Sequence, residues 1–197
     1  MVGQADKGLN CPITVSYVIG ALVGTLCPQI PNVLVYQRSL ILTGEVWRLF
    51  SCHLIHFSTL HLISDLLCFG VAGVLIERRA YPRFGLLCLS IIAISGPACF
   101  LFLPGMEFYG GLSALAMGAV TYLCLCSIRK EFGQCWGYYL ILLLTGVKII
   151  LEIITRETLF FSGTNAPVVP IPLSHLIGVG VAWLFFGAWK RSMHRSF

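Results

Sequence analysis

The sequence predicts an all-α integral membrane protein of six membrane-spanning helices, and composition is the first reason. Of its 197 residues, 57% are hydrophobic and only 11% are charged, and the mean hydropathy is +0.88. A soluble domain is typically about half apolar and about a quarter charged. The composition therefore excludes an ordinary soluble domain, a disordered chain and a nucleic-acid-binding module. Because about 20 apolar residues cross a bilayer as a helix, the length permits about six or seven crossings at most.

Apolar runs bounded by charges, prolines and glycines give the candidate spans. They are residues 12–28, 53–75, 85–103, 111–127, 135–155 and 171–189. The first is expected to be a retained helix, because the residues before it lack the basic region and the clear cleavage site of a signal peptide. We expect residues 1–197 to form a single membrane domain. The longest connection, residues 29–52, is half apolar and is expected to lie in the membrane interface as an embedded first loop.

The distribution of Lys and Arg predicts the orientation of the chain. With an even number of spans, both termini lie on one side, and that side carries Lys7, Arg78, Arg79, Arg83, Arg129, Lys130, Lys190, Arg191 and Arg195. The opposite side carries only Arg38, Arg48 and Arg156. We therefore expect both termini in the cytoplasm and a location in the bacterial inner membrane. Spans two, four and six then all begin at the outer surface.

Polar side chains inside a bilayer are costly, so each is a candidate for function. Three groups lie near the outer ends of the even-numbered spans. They are His53, His56, His61 and Asp65 in span two, Gly110, Gly111 and Ser113 in span four, and Ser174 and His175 in span six. Their similar depth predicts a water-accessible cavity between the three helices.

Helical spacing separates the polar residues of span two. His61 and Asp65 are four residues apart and share a helix face. His56 lies five residues before His61, about 140° around the helix, so we expect it to point elsewhere. We expect His53 and His56 to be hydrogen-bonded packing residues.

Ser113 and His175 form the candidate chemical centre. Gly110 and Gly111 allow a sharp turn before Ser113, and the N–H groups of a helix N-terminus favour negative charge beside the hydroxyl. The alternative is that Ser113 is an ordinary helix N-cap. In span six, Gly178 and Ala182 form a small-residue face that lets helices approach closely. Packing of span six on span four could bring His175 to Ser113, whereas the alternative is helix packing with an incidental histidine.

With these residues in place, the sequence resembles the rhomboid family of intramembrane serine proteases over nearly the whole chain. The motifs that carry the resemblance are Glu45-Val-Trp47-Arg48 for E-x-W-R, His56 with His61 and Asp65 for H-x4-H-x3-N, Gly111-Leu112-Ser113-Ala114 for G-x-S-G, and His175 with Gly178 for H-x-x-G. The short length and the Asp at the Asn position look most like the rhombosortase branch. That branch is associated with removing a C-terminal Gly-Gly-containing anchor from secreted proteins.

The resemblance implies a serine endopeptidase with a rhomboid-like bundle of six helices. Its nucleophile would be Ser113 and its general base and acid His175, a dyad with no third acidic member. The oxyanion would be surrounded by His61, the Asp65 position and the Ser113 N–H. His56 would pin the first loop, which Glu45, Trp47 and Arg48 would brace. The substrate would be a single-span or C-terminally anchored membrane protein, and neither a cofactor nor a metal is expected.

Three residues depart from the family pattern. Ala114 replaces the second glycine of G-x-S-G, which adds only a methyl group. Met117 stands where many members have a tyrosine packed on the catalytic histidine. Asp65 replaces an asparagine that can donate to an oxyanion, which an ionised carboxylate would repel. Asp65 could be protonated and donate, or it could accept a hydrogen bond from His61 and leave His61 as the donor; we favour the second.

Lys148 and Glu152 are four residues apart in span five and can pair within the helix. They lie near its outer end, where Lys can extend to the interface. They are interpreted as an interfacial helix end, and the alternative hypothesis is a polar edge that loosens span five as a lateral gate.

Other functions and sites are less well supported by the sequence. A catalytically inactive rhomboid-like protein that binds membrane partners is the main alternative, and the Ser113/His175 pair argues against it. A metal or haem carrier using Cys52, His53, His56 and His61 is disfavoured, because His53 and His61 would lie about 12 Å apart along one helix. A competing serine, Ser95, lies mid-span without a preceding glycine. The nine cysteines are interpreted mainly as small hydrophobic residues.

Overall fold

The computed structural model describes residues 10–130, 135–155 and 171–194. The chain is mostly helical, and the predicted basic residues Lys7, Arg156 and Arg195 lie outside the described residues. The elements are α1 (Pro12–Leu26), α2 (Ile30–Leu34), β1 (Tyr36–Gln37), α3 (Arg38–Leu42), α4 (Arg48–Ser51), a 3-10 turn (Cys52–Leu54), α5 (Thr59–Arg78), α6 (Phe84–Phe102), β2 (Phe108–Tyr109), α7 (Ser113–Lys130), α8 (Trp136–Thr155) and α9 (Pro172–His194).

Each of the six predicted spans contains one long helix, and four of these are long and apolar enough to cross a membrane: α5, α6, α8 and α9. Helix α1 has 15 residues and a length of about 22 Å, less than a typical hydrocarbon thickness of about 30 Å. Helix α7 is not among the four, and 13 of its 18 residues are buried. A helix enclosed by its neighbours does not need the apolar surface that lipid requires.

The start of the second predicted span is wrong by six residues. Helix α5 begins at Thr59 rather than at residue 53, because the Ser58 side chain accepts a hydrogen bond from the His61 N–H and caps the helix. His53 lies in the 3-10 turn, and His56 lies in the loop between that turn and α5. Helical spacing therefore does not relate His56 to His61.

Helix α7 forms the centre of the bundle and packs against α5, α6, α8 and α9. Its closest approach is to α9, where a Cβ on Gly178 would overlap the Ala114 carbonyl oxygen. Ala182, one turn along α9, is fully buried in the same apolar core. The predicted small-residue face of span six is therefore confirmed as a helix contact with span four.

The first loop is held by its own polar residues, as predicted. The buried Arg48 guanidinium pairs with Glu45 at 2.7 Å and donates to the carbonyl oxygens of Asn32 and Val35, both at 2.9 Å. The Trp47 indole N–H donates to the Val33 carbonyl at 3.1 Å. The loop also packs on α6, because a Cβ on Gly96 would overlap the Leu49 carbonyl oxygen. These contacts fix the chain that leads into the histidine-bearing segment.

Basic residues gather at one end of the bundle. Arg79 donates to the Ser127 hydroxyl at 2.7 Å, and Lys130 lies 4.7 Å from the ring centre of Tyr81. Arg129 lies 5.8 Å from the ring centre of Trp189. Ser113 begins α7 at the other end, about 26 Å away along the helix.

Candidate active site

Ser113 and His175 meet where α7 and α9 pack together. The Ser113 Oγ lies 3.0 Å from the His175 Nε2, so the predicted approach of these two side chains is present in the structure. His175 is buried and Ser113 is partly exposed. The contact depends on Gly178, three residues after His175, because a side chain there would hold α9 away from α7.

The turn before Ser113 requires glycine. Gly111 has φ +132°, a conformation that L side chains rarely adopt, and its added Cβ would lie 2.8 Å from the Cε1 of His61 and 2.9 Å from its Nε2. Ser113 is the first residue of α7, and the first N–H groups of a helix have no acceptor within it. The Ser113 N–H therefore has no acceptor within α7 and lies beside the Ser113 hydroxyl.

His175 has a second partner that the predicted dyad omits. Its Nδ1 lies 2.8 Å from the Glu152 Oε2, and the Glu152 Oε1 accepts a hydrogen bond from Lys148 at 2.6 Å. The predicted Lys148–Glu152 pairing is confirmed, but the expectation that no acidic residue accompanies the histidine is wrong. The two side chains can meet because they lie at a similar depth in the bundle. Glu152 lies one turn before the end of α8, and His175 lies one turn after the start of α9.

Asp65 lies between two histidines. Its Oδ2 is 3.2 Å from the Nε2 of His61 and 3.2 Å from the Nε2 of His56. The His61 contact is the one required by the favoured prediction, in which Asp65 accepts from His61. That contact uses the nitrogen that also faces Gly111, so the Asp65 carboxylate and the turn before Ser113 meet at one atom of His61.

His56 points toward the site, which corrects the expectation that it points elsewhere. Its Nε2, which lies 3.2 Å from the Asp65 Oδ2, accepts a hydrogen bond from the Leu112 N–H at 3.2 Å, so it holds the turn before Ser113. Its backbone N–H donates to the Thr25 hydroxyl at 3.2 Å, and that hydroxyl lies 3.2 Å from its Nδ1. His56 therefore ties this turn to the end of α1, and the sequence prediction missed Thr25 because a lone threonine at a helix end carries no pattern.

A second Ser–His pair lies in the bundle but has a different environment. The Ser95 Oγ is 3.0 Å from the His53 Nε2, and it donates to the Ile91 carbonyl at 2.6 Å. Both side chains are completely buried. Because the Ser95 proton is committed to the backbone and no substrate can reach the oxygen, His53 is a packing residue, as predicted.

A cavity of about 1280 Å³ opens onto the Ser113/His175 pair. Helix α5 contributes His61, Asp65 and Cys68 to its wall, and α8 contributes Ile141, Leu144, Lys148 and Glu152. Met117 and Val120 of α7 and Phe102 at the end of α6 add apolar surface. The arrangement can hold an apolar segment beside the partly exposed Ser113 hydroxyl and the buried His175 imidazole.

Within the described residues, one group of three side chains could hold a metal ion: His56, His61 and Asp65, whose ligand atoms lie within 4.8 Å of one another. The His56 Nε2 already accepts the Leu112 N–H, and a metal would have to replace that bond. The disfavoured metal carrier would need His53 together with His56 and His61, and this group is not assembled, because His53 contacts Ser95 instead.

The Rhomboid domain family model matches residues 43–190, from the first loop through α9. No curated protein matches the chain. The matched range includes Ser113, His175, Glu152, His61 and Asp65, whereas α1 and Thr25 precede it.

Proposed function

Because the chain belongs to the rhomboid family, whose members are generally intramembrane serine proteases, we propose that it is a serine endopeptidase that cleaves membrane-anchored proteins. The observation that carries the proposal is the 3.0 Å contact between Ser113 Oγ and His175 Nε2 at the wall of a large apolar cavity. A nucleophile and a base within hydrogen-bond reach are the first requirement of acyl transfer.

The reaction follows from these positions. The Ser113 Oγ attacks the scissile carbonyl carbon as its proton passes to the His175 Nε2. The carbonyl oxygen becomes an oxyanion beside the Ser113 N–H and His61. The C–N bond then breaks, the leaving amine takes the proton from His175, and water hydrolyses the acyl ester to restore Ser113.

The substrate is an apolar membrane segment near the outer side of the bilayer. The cavity lining as a whole is mainly apolar and includes Leu67 of α5 and Ile141 and Leu144 of α8, which suits an unwound stretch of such a segment. Lysine and arginine residues near Tyr81 and Trp189 lie at the opposite end of the bundle, and the positive-inside rule assigns that end to the cytoplasm. A six-span topology with both termini in the cytoplasm of a bacterium places Ser113 near the outer surface.

The rhombosortase branch is the finer proposal and rests on Asp65, which stands at the asparagine position of the H-x4-H-x3-N motif. It specifies a substrate anchored by a C-terminal segment that contains Gly-Gly. A substrate of this kind presents two residues without side chains to the part of the cavity lined by Ser113 and His175.

Co-expression with secreted proteins that carry such an anchor tests the proposal. The anchor is expected to be removed by the wild-type protein and retained with Ser113→Ala. Ser95→Ala is the matched control, because Ser95 also contacts a histidine but is completely buried, and cleavage is expected to persist.

An inactive rhomboid-like binding protein is the alternative. It predicts retention of every single-span substrate tried with wild-type protein and with Ser113→Ala alike. Cleavage of other single-span proteins, but not of the Gly-Gly substrate, would contradict the rhombosortase assignment and leave the protease assignment standing.

A further inference from the structure

Glu152 occupies the position at which an acidic residue can orient His175. We propose that Glu152 is a positioning residue that fixes the tautomer of His175, and that Lys148 in turn fixes Glu152. The inference rests on the proposed protease function, and it replaces the two-residue unit implied by the family resemblance with a chain of four side chains.

The contacts determine which nitrogen of His175 carries the proton. An ionised carboxylate can only accept hydrogen bonds, so the Glu152 Oε2 at 2.8 Å requires a proton on the His175 Nδ1. A neutral ring then has its lone pair on Nε2, 3.0 Å from the Ser113 hydroxyl. This is the tautomer that can take the Ser113 proton.

Lys148 determines how the carboxylate is held. Its ammonium group contacts the Glu152 Oε1 at 2.6 Å, and the other oxygen remains directed at His175. The Glu152 side chain is 3% exposed, and a buried carboxylate without a positive partner would be strongly unfavourable. Each carboxylate oxygen therefore has one assigned partner, which leaves little freedom for the imidazole to rotate.

The position of Glu152 in α8 is itself unusual. Most of the described α8 side chains are at least partly exposed, and its buried residues are Ile149 and Glu152. A helix that faces lipid along most of its length has no packing requirement for a charged residue. Glu152 is instead directed at the one ionisable side chain of α9 that contacts the nucleophile.

During acylation the carboxylate keeps its charge and takes no proton. The Ser113 proton moves to Nε2 while the Oγ bond to the substrate forms, and the ring becomes an imidazolium with both nitrogens protonated. The Glu152 Oε2 stabilises that cation through the Nδ1–H. When the leaving amine departs, it takes the Nε2 proton, and the ring returns to its starting tautomer.

Glu152→Gln inverts this arrangement. The amide has one oxygen, and Lys148 can only donate, so the oxygen turns to Lys148 and the NH2 group turns to the His175 Nδ1. That nitrogen must then accept, the proton moves to Nε2, and the ring cannot take the Ser113 proton. The comparable Asp-to-Asn change in a serine protease lowers the rate by about 10⁴, so we expect a loss of at least about 10²-fold.

Removing Lys148 as well distinguishes a positioning role for Glu152 from a merely structural role, because only the positioning role predicts that the rate recovers. In Lys148→Met/Glu152→Gln, the amide oxygen is free to turn to the Nδ1–H and restore the productive tautomer. We expect the double variant to react at least about tenfold faster than Glu152→Gln. Glu152→Asp keeps the carboxylate and is expected to retain more activity than Glu152→Gln.

The readout is labelling by a fluorophosphonate, in which the Ser113 Oγ–P bond forms, the P–F bond breaks and the serine proton passes to His175. The maximal labelling rate measures the chemistry, and the probe concentration at half-maximal rate measures binding. We expect Glu152→Gln to lower the maximal labelling rate and to leave the half-maximal probe concentration within about threefold of the wild-type value. Thr155→Val, which removes an exposed hydroxyl bonded within the same helix, is the matched control and should label at the wild-type rate.

Nitrogen NMR of ¹⁵N-histidine-labelled protein reads the tautomer without any turnover. The His175 signal is expected in the Nδ1–H form in wild type and in the Nε2–H form in Glu152→Gln. Wild-type labelling rates in Glu152→Gln, or a double variant no faster than Glu152→Gln, would overturn the inference. Absence of Ser113 labelling in the wild type would instead overturn the proposed function, so the two failures are distinguishable.

Discussion

At Asp65, one carboxylate oxygen lies 3.2 Å from the Nε2 of both His56 and His61. His61 faces Gly111 at the turn before Ser113, and His56 accepts a hydrogen bond from the Leu112 N–H of that turn. The carboxylate thus connects two rings that contact the same turn. Its role is expected to be the placement of His61 rather than direct contact with the oxyanion, which a negative charge would repel.

Two substitutions at Asp65 test this role. In Asp65→Asn the amide oxygen can still accept from His61, and we expect the fluorophosphonate labelling rate to stay within about tenfold of wild type. In Asp65→Ala both histidines lose the contact, and we expect a fall of about 10²–10³, the size of losing one oxyanion donor. Full rates in both variants would show that Asp65 has no part in the oxyanion site.

The sequence predicts the candidate site residues that belong to a motif. It does not predict contacts between side chains that only the folded chain brings together. Ser113, His175, His61 and Asp65 were found because each combines a costly polar group with a similar depth in the membrane. The predicted direction of His56 is wrong because α5 begins only after the Ser58 cap, which follows His56, and an apolar run conceals a cap at that position.

The sequence of span five indicates an interfacial helix end at Glu152, although the depth of Glu152 matches that of His175. This similar depth near the outer surface is the sequence signal that relates the two residues. The sequence could not give the direction of either side chain, which depends on how α8 and α9 pack.

Among the elements, α7 and α9 determine the distance between the Ser113 hydroxyl and the His175 imidazole. Gly178 lies against the backbone of Ala114, and a Cβ there would also lie 3.1 Å from the Ala114 carbonyl carbon and 3.2 Å from the Gly118 nitrogen. Backbone atoms of two packed helices cannot yield locally. A methyl group at this position must therefore separate the helices that carry Ser113 and His175.

Gly178→Ala is expected to reduce Ser113 labelling at least about tenfold and to lower the thermal unfolding temperature in detergent. Gly180→Ala is the matched control, because it adds the same methyl group to the same helix where no atom lies within 4 Å. Both properties should stay at wild-type values in Gly180→Ala. Equal behaviour of the two variants would contradict the dependence of the site on this helix contact.

Helices were more predictable than their ends or their place in the bundle. All six apolar runs contain a long helix, because apolar length is a property of the sequence itself. The central position of α7 was not predictable from its hydropathy, since its buried face packs on protein through small side chains such as Ala114, Ala116 and Gly118. The first loop forms short helices held by Arg48, as the resemblance implies, and only the fold gives the carbonyl partners of Arg48, Asn32 and Val35.

In the whole molecule, the end of the bundle that carries Ser113 and the end that carries the basic residues lie apart. Ser113 begins α7, and Arg129 and Lys130 end it beside Trp189. Basic residues favour the cytoplasmic side, so the proposed orientation places the Ser113/His175 pair near the opposite surface. The predicted orientation also depends on Lys7, Arg156 and Arg195, which lie outside the described residues.

Reporter fusions in a bacterial host test this orientation. Alkaline phosphatase, which is active only outside the cytoplasm, is expected to be inactive when fused at the C-terminus and active when fused after Gly105, between α6 and α7. Green fluorescent protein at the C-terminus should fluoresce. The reverse phosphatase pattern would contradict the orientation.

The central claim is that Ser113 is a nucleophile activated by His175. The most direct measurement is to label the purified protein with a fluorophosphonate and locate the adduct by peptide mass spectrometry. We expect one adduct, on Ser113, that is lost in Ser113→Ala and reduced at least about 10²-fold in His175→Ala, while Ser95→Ala labels normally. Absence of an adduct on Ser113 in protein that is folded and monodisperse, or undiminished labelling in Ser113→Ala, would contradict the account.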